Sequence, residues 1–244
     1  MSVGEPLRIT YRLTMEDDSK IEIPLQLQPV TLDLIDLAPT APPDWTRLEH
    51  FQCPNCPLSP EEHPYCPLST NLVNVVHKLD SLRSYDKVRL DVVTEGRHIY
   101  HNTTAQKAIS SLLGLISAAS GCPNTAFFKP MARFHLPLAN SNETMYRVIS
   151  MYLMAQYFRQ LEGGAPDMDL TGLIQIYQDV EVVNQYIAKR LASVTVTDSS
   201  LNAIVILDLY AKTFPLLIVE DALLDTLNEL RGLFSSFLDQ TTST

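Results

Sequence analysis

The residues best suited to chemistry in this chain are its four cysteines, each of which is followed by a proline. Cys53 and Cys56 form a C-x-x-C pair, Cys66 follows after a short loop, and Cys122 comes much later in the chain. Proline fixes its own φ angle and keeps the residue before it out of the helical region. The backbone therefore holds each thiol at an extended or turning point, a pattern that favours a pre-positioned site.

Thiolates are soft, anionic ligands, and tetrahedral zinc binds four of them at about 2.3 Å. We predict a structural zinc site, and an iron–sulfur cluster is the less favoured alternative because this spacing does not select the metal. The predicted ligands are Cys53, Cys56, Cys66 and Cys122. The residues that could add a ligand or receive an anion are His63, Arg133 and His135.

Two other interpretations of the thiols remain open at this point. Free cysteine is among the most buried residue types, so the four thiols could be reduced groups that only pack. A redox or metal-dependent enzyme could instead use the cysteines together with His135. No strand leads into the C-x-x-C pair and no third residue that would orient a Cys122–His135 pair is evident from the spacing. The sequence therefore does not decide whether the protein is an enzyme.

Composition limits the partners. The 244-residue chain has a formal net charge of −10 and a pI near 5.0, whereas nucleic-acid binding requires clustered Lys and Arg. No run of about 20 apolar residues is present and the first residues lack signal-peptide features, so we expect a cytoplasmic protein without a membrane partner. Four cysteines in such a protein fit reduced thiols or a metal better than disulfides. We expect a protein partner, and self-association into a homo-oligomer is compatible with this expectation.

The elements that must position these thiols are predicted from periodicity. Alternating apolar residues predict a hairpin over 7–23 and a third strand over 26–37, and a second hairpin over 87–101. Helical spacing predicts helices that begin near Ser69, Thr103 or Thr104, Asn140, Asp169, and Asp198 or Ser199, followed by one over 222–238. Asn140 and Glu143 form a capping-box pattern. We expect Cys122 just beyond the C-terminal end of the second helix and a loop over 127–138. The fold class is therefore α+β: a small N-terminal antiparallel β-sheet followed by a mainly α-helical domain with one inserted β-hairpin.

Composition shifts along the chain indicate the domain organisation. Residues 1–37 form the predicted N-terminal sheet, and a Pro- and Cys-rich connector follows over 38–69. A mainly helical domain takes up 70–238, and the Thr-rich tail over 239–244 is predicted to be disordered.

Four motifs resemble those of a family of bacterial proteins of unknown function. They are QCPNCPL over 52–58, YCP over 65–67, SGCP over 120–123 and PMARFHLP over 130–137. The resemblance extends over most of the chain and implies that the cysteines and the His135 loop act as one group of residues. It implies no activity, cofactor or substrate. We therefore expect a non-enzymatic interaction or regulatory module with a zinc-like site, and the enzyme described above is the alternative.

Overall fold

The structure is a computed structural model that describes residues 4–194, 198, 200–205, 207–208, 211–212 and 230–241. It contains two compact units, and each is described by itself. The first unit comprises residues 1–139 and 179–208, and the second comprises 140–178 and 209–244. Residues 222–229 of the helix predicted over 222–238, and residues 242–244 of the predicted tail, lie outside the described residues.

The first unit is built on a four-stranded antiparallel sheet. Its strands are β1 (Leu7–Thr14), β2 (Lys20–Leu27), β3 (Lys87–Thr94) and β4 (His98–Thr104), in the spatial order β2-β1-β3-β4. Both predicted hairpins are present, and together with the helices they confirm the α+β class. Tyr11 on β1 lies opposite Ile23 on β2 and Val92 on β3, so the two hairpins form one continuous sheet.

The third strand predicted over 26–37 forms only in part. Beyond the end of β2 at Leu27, the segment makes one isolated antiparallel bridge, between Leu27 and Leu34. Leu32 and Asp36 have φ angles of 60° and 55°, which lie in the left-handed region. Because extended strands require negative φ, these residues turn the chain after β2 instead of prolonging it.

Two helices, α1 (Pro67–Leu79) and α2 (Ala105–Ala119), supply apolar side chains to the core on the inner face of this sheet. The helix predicted to begin near Ser69 begins at Pro67, because proline is favoured in the first helical turn, where its missing N–H costs nothing. The alternation predicted for the strands places one set of side chains in the core. The largest fully buried apolar side chains of the strands and helices are Tyr11, Leu13, Ile23, Leu25, Leu27, Leu72, Leu79, Leu90, Ile109 and Leu112.

The connector is anchored at both ends of its cysteine-bearing loop. A short 3₁₀ helix covers Asp44–Thr46. The Leu48 N–H donates to the Pro64 carbonyl at 3.0 Å, and the Cys66 N–H donates to the Thr46 carbonyl at 2.8 Å. These antiparallel contacts close the intervening loop. Cys53 and Cys56 therefore lie on a loop whose two ends are held together.

The stretch over 127–138 was predicted as a loop but contains helical turns. A 3₁₀ helix covers Pro123–Phe128 and a short helix, α3, covers Lys129–Arg133. The prolines at 123 and 130 stand in the first turn of each helix, so they start these helices rather than breaking them.

In the second unit, α4 (Ser141–Leu161) begins with the predicted capping box. The Asn140 side chain accepts from the Glu143 N–H at 2.9 Å, and the Glu143 carboxylate accepts from the Asn140 N–H at 2.8 Å. Helix α5 (Thr171–Ala192) begins in this unit, and its residues 179–192 belong to the first unit. The last helix described, α6, covers Ser235–Thr241.

The start of α5 differs from the predicted Asp169 cap. The Asp167 carboxylate accepts from the Gly172 N–H and from the Tyr152 hydroxyl, both at 2.6 Å. The carboxylate thus satisfies a free N–H in the first turn of α5. Within the described ranges, no helix combines the length and apolarity needed to span a membrane.

Candidate functional site

All four cysteines line one small cavity in the first unit. The cavity has a volume of about 20 Å³, enough for one water-sized particle. Each cysteine is free and partly buried. The remaining lining residues, which come from the connector, α1, the segment after Cys122 and α5, are Leu48, Leu68, Asn124, Val183, Ile187 and Arg190. The fold therefore brings the predicted ligands together from three separate stretches of chain.

The C-x-x-C pair lies on a tight turn that is held from two sides. The Cys56 N–H donates to the Cys53 carbonyl at 3.0 Å. Between them, the Asn55 side-chain amide donates to the backbone carbonyl and carboxylate of Asp179 on α5, each at 3.2 Å. The Asn124 side-chain amide donates to the Asn55 carbonyl at 3.1 Å. These bonds fix the turn against the elements that carry the other side of the cavity.

Cys66 lies at the N-terminal end of α1, where it is the residue that caps the helix. Its carbonyl accepts the Thr70 N–H at 3.0 Å, but its side chain makes no capping hydrogen bond. The start of α1 therefore fixes the backbone of Cys66, whereas its sulfur takes no part in capping the helix.

Cys122 is held by the turn that follows α2. Gly121 has a φ of +85°, which glycine adopts without steric cost at the end of a helix. The Cys122 N–H donates to the Ser120 hydroxyl at 3.2 Å. Cys122 was predicted to lie just beyond the C-terminal end of a helix. It does, and it also immediately precedes the 3₁₀ helix over Pro123–Phe128, a second element that periodicity did not reveal.

Burial disfavours the thiolate form of two of the cavity cysteines, Cys53 and Cys122. Burial raises the pKa of Cys53 to about 12, and the neighbouring thiols of Cys66, Cys122 and Cys56 add to this shift. Burial also raises the pKa of Cys122, although hydrogen bonds from Asn124 and Thr125 act in the opposite direction. Thiols with raised pKa values are weak nucleophiles at neutral pH, because the thiolate is the reactive form.

The four cysteines line one cavity, but their side chains do not form a coordination sphere. In the described part of the chain, no group of three or more His, Cys, Asp or Glu side chains is arranged so that it could hold a metal ion. Hydrogen bonds fix the backbone around the cavity, whereas the position of each sulfur depends on one side-chain rotation. The fold thus brings the four cysteines to one cavity without arranging their side chains as a metal-binding group. Metal binding would also require deprotonated thiols.

Arg190 on α5 is a lining residue that the sequence reasoning missed. Its side chain is 1% exposed. The guanidinium donates to the carbonyls of Trp45, Arg47 and Leu48 at 2.9, 2.8 and 2.9 Å. Burial lowers the pKa of Arg190, and the thiols around the cavity oppose this shift. A basic residue in the last turn of a helix was the available signal, but solvent exposure is its usual explanation.

The other predicted site residues lie elsewhere. His63 is exposed on the connector, and Arg133 is exposed with its guanidinium 5.6 Å from the centre of the Phe134 ring. His135 is half-buried, and its Nε2 is hydrogen-bonded to the fully buried Tyr11 hydroxyl. The Tyr11 hydroxyl also contacts the Ser111 hydroxyl at 3.0 Å. None of these three predicted residues is among those that line the cysteine cavity.

Comparison with known proteins gives a family and no activity. A family model described as a domain of unknown function (DUF6901) matches residues 9–235, which include every residue that lines the cavity. No curated protein and no solved structure matches the chain.

Proposed function

Because the chain belongs to the DUF6901 family of unknown function, we propose from its own geometry that it is a non-enzymatic module closed by a structural zinc ion. The ligands in this proposal are Cys53, Cys56, Cys66 and Cys122. The observation that carries it is the shared cavity, since residues far apart in the chain supply all four thiols to one ion-sized space. The function of the metal is to attach the connector and the start of α1 to the segment that follows α2.

The size of the cavity supports a structural site over a catalytic one. A catalytic zinc keeps one coordination position open for water or substrate, whereas structural sites have four protein ligands. A volume of about 20 Å³ admits one small particle and leaves no room for an organic substrate. His135, which the alternative enzyme would use, is hydrogen-bonded to Tyr11 instead of lining the cavity. An iron–sulfur cluster contains several atoms and fits this volume less well than one zinc ion does.

The proposal includes a reducing compartment, the cytoplasm, because oxidation of the thiols would compete with metal binding. It also includes a protein partner. Four side chains of α4 in the second unit support this part: Met154, Tyr157, Phe158 and Leu161 follow the spacing of one helix face, and each is more than half exposed. Contiguous exposed apolar side chains are typical of interfaces.

We propose that a second copy of this chain binds to this exposed face of α4. Two of the four side chains are aromatic, and aromatic side chains bury about 150–250 Å² each. Together with Met154 and Leu161, this half-exposed stripe offers on the order of 400 Å². Two antiparallel copies would bury about 800 Å², below the roughly 1,600 Å² of a standard interface. The expected product is a weak dimer. Sedimentation velocity should show concentration-dependent association that Leu161→Glu abolishes, and a monomer of 27.4 kDa at every concentration would contradict this part.

The metal content of anaerobically purified protein tests the zinc site. We expect one zinc per chain and no visible absorption, and we expect replacement by Co²⁺ to give the thiolate charge-transfer bands of a tetrahedral site. A Cys53→Ser, Cys56→Ser double variant should lose the metal. His63→Ala is the matched control, because His63 is an exposed candidate ligand on the same connector, and this variant should retain one zinc. Fully folded wild-type protein that binds no Zn²⁺ or Co²⁺ would contradict the proposal.

A further inference from the structure

Arg190 introduces a full positive charge into the interior of the first unit. Guanidinium groups remain protonated in proteins, and a buried charge is costly unless it is paired. Among the described residues, no carboxylate forms an ion pair with Arg190. Its hydrogen-bond partners are three neutral carbonyls, and its Nε is buried without a hydrogen-bond partner in the part of the chain that the structure describes.

The groups around Arg190 that can become anionic are the thiols of the cavity. Arg190 lines this cavity together with all four cysteines. Four thiolates around one divalent ion carry two net negative charges, which are themselves costly to bury. A guanidinium at the edge of the cavity reduces that charge and offers an N–H to a sulfur. Each group therefore supplies what the other lacks: the cluster needs a cation and a donor, and Arg190 needs an anion and an acceptor.

We propose that Arg190 is the fixed counter-charge of the metal–thiolate cluster and donates its Nε–H to one of the metal-bound sulfurs. This inference rests on the proposed zinc site. Arg190 is in this sense a positioning residue and not a ligand. Partners of metal ligands commonly change metal affinity by about 10–100-fold, and we expect an effect of this size from removal of the charge.

A purely structural role is the competing explanation. The three hydrogen bonds to Trp45, Arg47 and Leu48 already attach the connector to α5. If that attachment were the whole role, substitutions of Arg190 would change the stability of the fold and leave the metal affinity of the folded protein unchanged. The two roles therefore differ in metal affinity and in the spectrum of the bound metal, and not in stability.

The test compares Arg190→Met, Arg190→Lys and wild type in Co²⁺ and Zn²⁺ titrations against a competing chelator. Methionine removes the charge and keeps an unbranched apolar chain, and lysine keeps the charge but loses the planar fork. Lys189→Met is the matched control, because it removes one exposed positive charge from the adjacent position. Circular dichroism establishes which variants are folded before titration.

We expect Arg190→Met to bind Co²⁺ about 10–100-fold more weakly and to shift the thiolate-to-cobalt charge-transfer band. Arg190→Lys should recover most of the affinity even if it lowers the melting temperature, and Lys189→Met should match wild type. Equal affinity and identical spectra for wild type and Arg190→Met would overturn the counter-charge role while leaving the zinc site in place. Absence of binding by wild type would overturn both.

A measurement on the wild-type protein covers the case in which Arg190→Met does not fold. In protein loaded with ¹¹³Cd²⁺, the Arg190 Nε–H proton should exchange slowly with solvent and shift on metal binding, as expected for a donor to a metal-bound sulfur. A rapidly exchanging Nε–H with the same shift in metal-free and cadmium-loaded protein would overturn the inference.

Discussion

Replacement of Cys66 by serine separates metal binding from packing at this site. Cys66 caps α1 but makes no side-chain capping bond. Serine is a preferred residue at this position, because its hydroxyl accepts a backbone N–H of the first helical turn. In metal-free protein, Cys66→Ser should therefore be as stable as wild type or up to about 1 kcal/mol more stable. The same change removes one of the proposed zinc ligands.

The size of the expected effect follows from linkage between binding and folding. Zinc at about 1,000 times its dissociation constant stabilises the folded state by about 4 kcal/mol. For a unit of 150–250 residues, each kcal/mol corresponds to about 2–4 °C in melting temperature. Zinc should therefore raise the melting temperature of the wild-type protein by about 8–16 °C relative to chelated protein. For Cys66→Ser, this difference should fall below about 4 °C.

Differential scanning calorimetry of both proteins, with zinc and with chelator, measures the four melting temperatures. Comparison within each protein cancels the direct effect of serine on α1. If the cysteines only pack, wild type will show no response to zinc. An equal zinc-dependent rise in wild type and Cys66→Ser would refute the assignment of Cys66 as a ligand.

Three further predictions concern groups on either unit. A methyl group at Gly172 would overlap the Tyr152 hydroxyl, so Gly172→Ala should cost about 1–3 kcal/mol in urea unfolding. Gly96→Ala, with open space around it, should cost far less, and equal stabilities would contradict this prediction. Hydrogen bonds from Tyr152 and the Gly172 N–H lower the pKa of Asp167, so stability from this group is present above its unfolded value near 3.8 and is lost as the pH falls through the folded pKa. The stability of Asp167→Asn, measured as the pH is lowered, should lack that loss. Parallel stability curves for variant and wild type would count against this prediction. Burial raises the pKa of Cys53 to about 12. At pH 8, iodoacetamide should therefore label Cys53 at least about 100-fold more slowly in folded, chelated protein than in urea, and mass spectrometry can follow the labelling. Preferential labelling of Cys53 would favour the redox alternative.

The sequence predicts local features of this protein well. The capping box of Asn140 and Glu143 forms as predicted, and the two hairpins lie at their predicted positions. Each of these features depends on residues close together in the chain, so its signal is contained in a short stretch. The four cysteines could be grouped because cysteine is rare here and each precedes a proline.

Features that depend on contacts between residues far apart in the sequence were not predicted. The pairing of β1 with β3 joins hairpins separated by the whole connector and α1, and alternation alone does not choose partners. Arg190 has the sequence environment of an exposed basic residue at a helix end, and its burial results from carbonyls about 140 positions earlier. The third strand stops because Leu32 and Asp36 adopt left-handed φ angles, which no glycine or asparagine at these positions indicates.

The order in which the cavity residues leave the ribosome has a consequence for the newly made chain. Cys53 and Cys56 emerge early, but Cys122 follows only after the second hairpin and α2, and Arg190 comes near the end of α5. At about 5–20 residues per second, the interval from Cys53 to Arg190 lasts on the order of 10 s. Throughout that interval, the connector lacks the side chain that anchors its carbonyls. Nascent chains arrested before residue 190 should therefore present a protease-sensitive connector, which becomes protected once α5 has been synthesised.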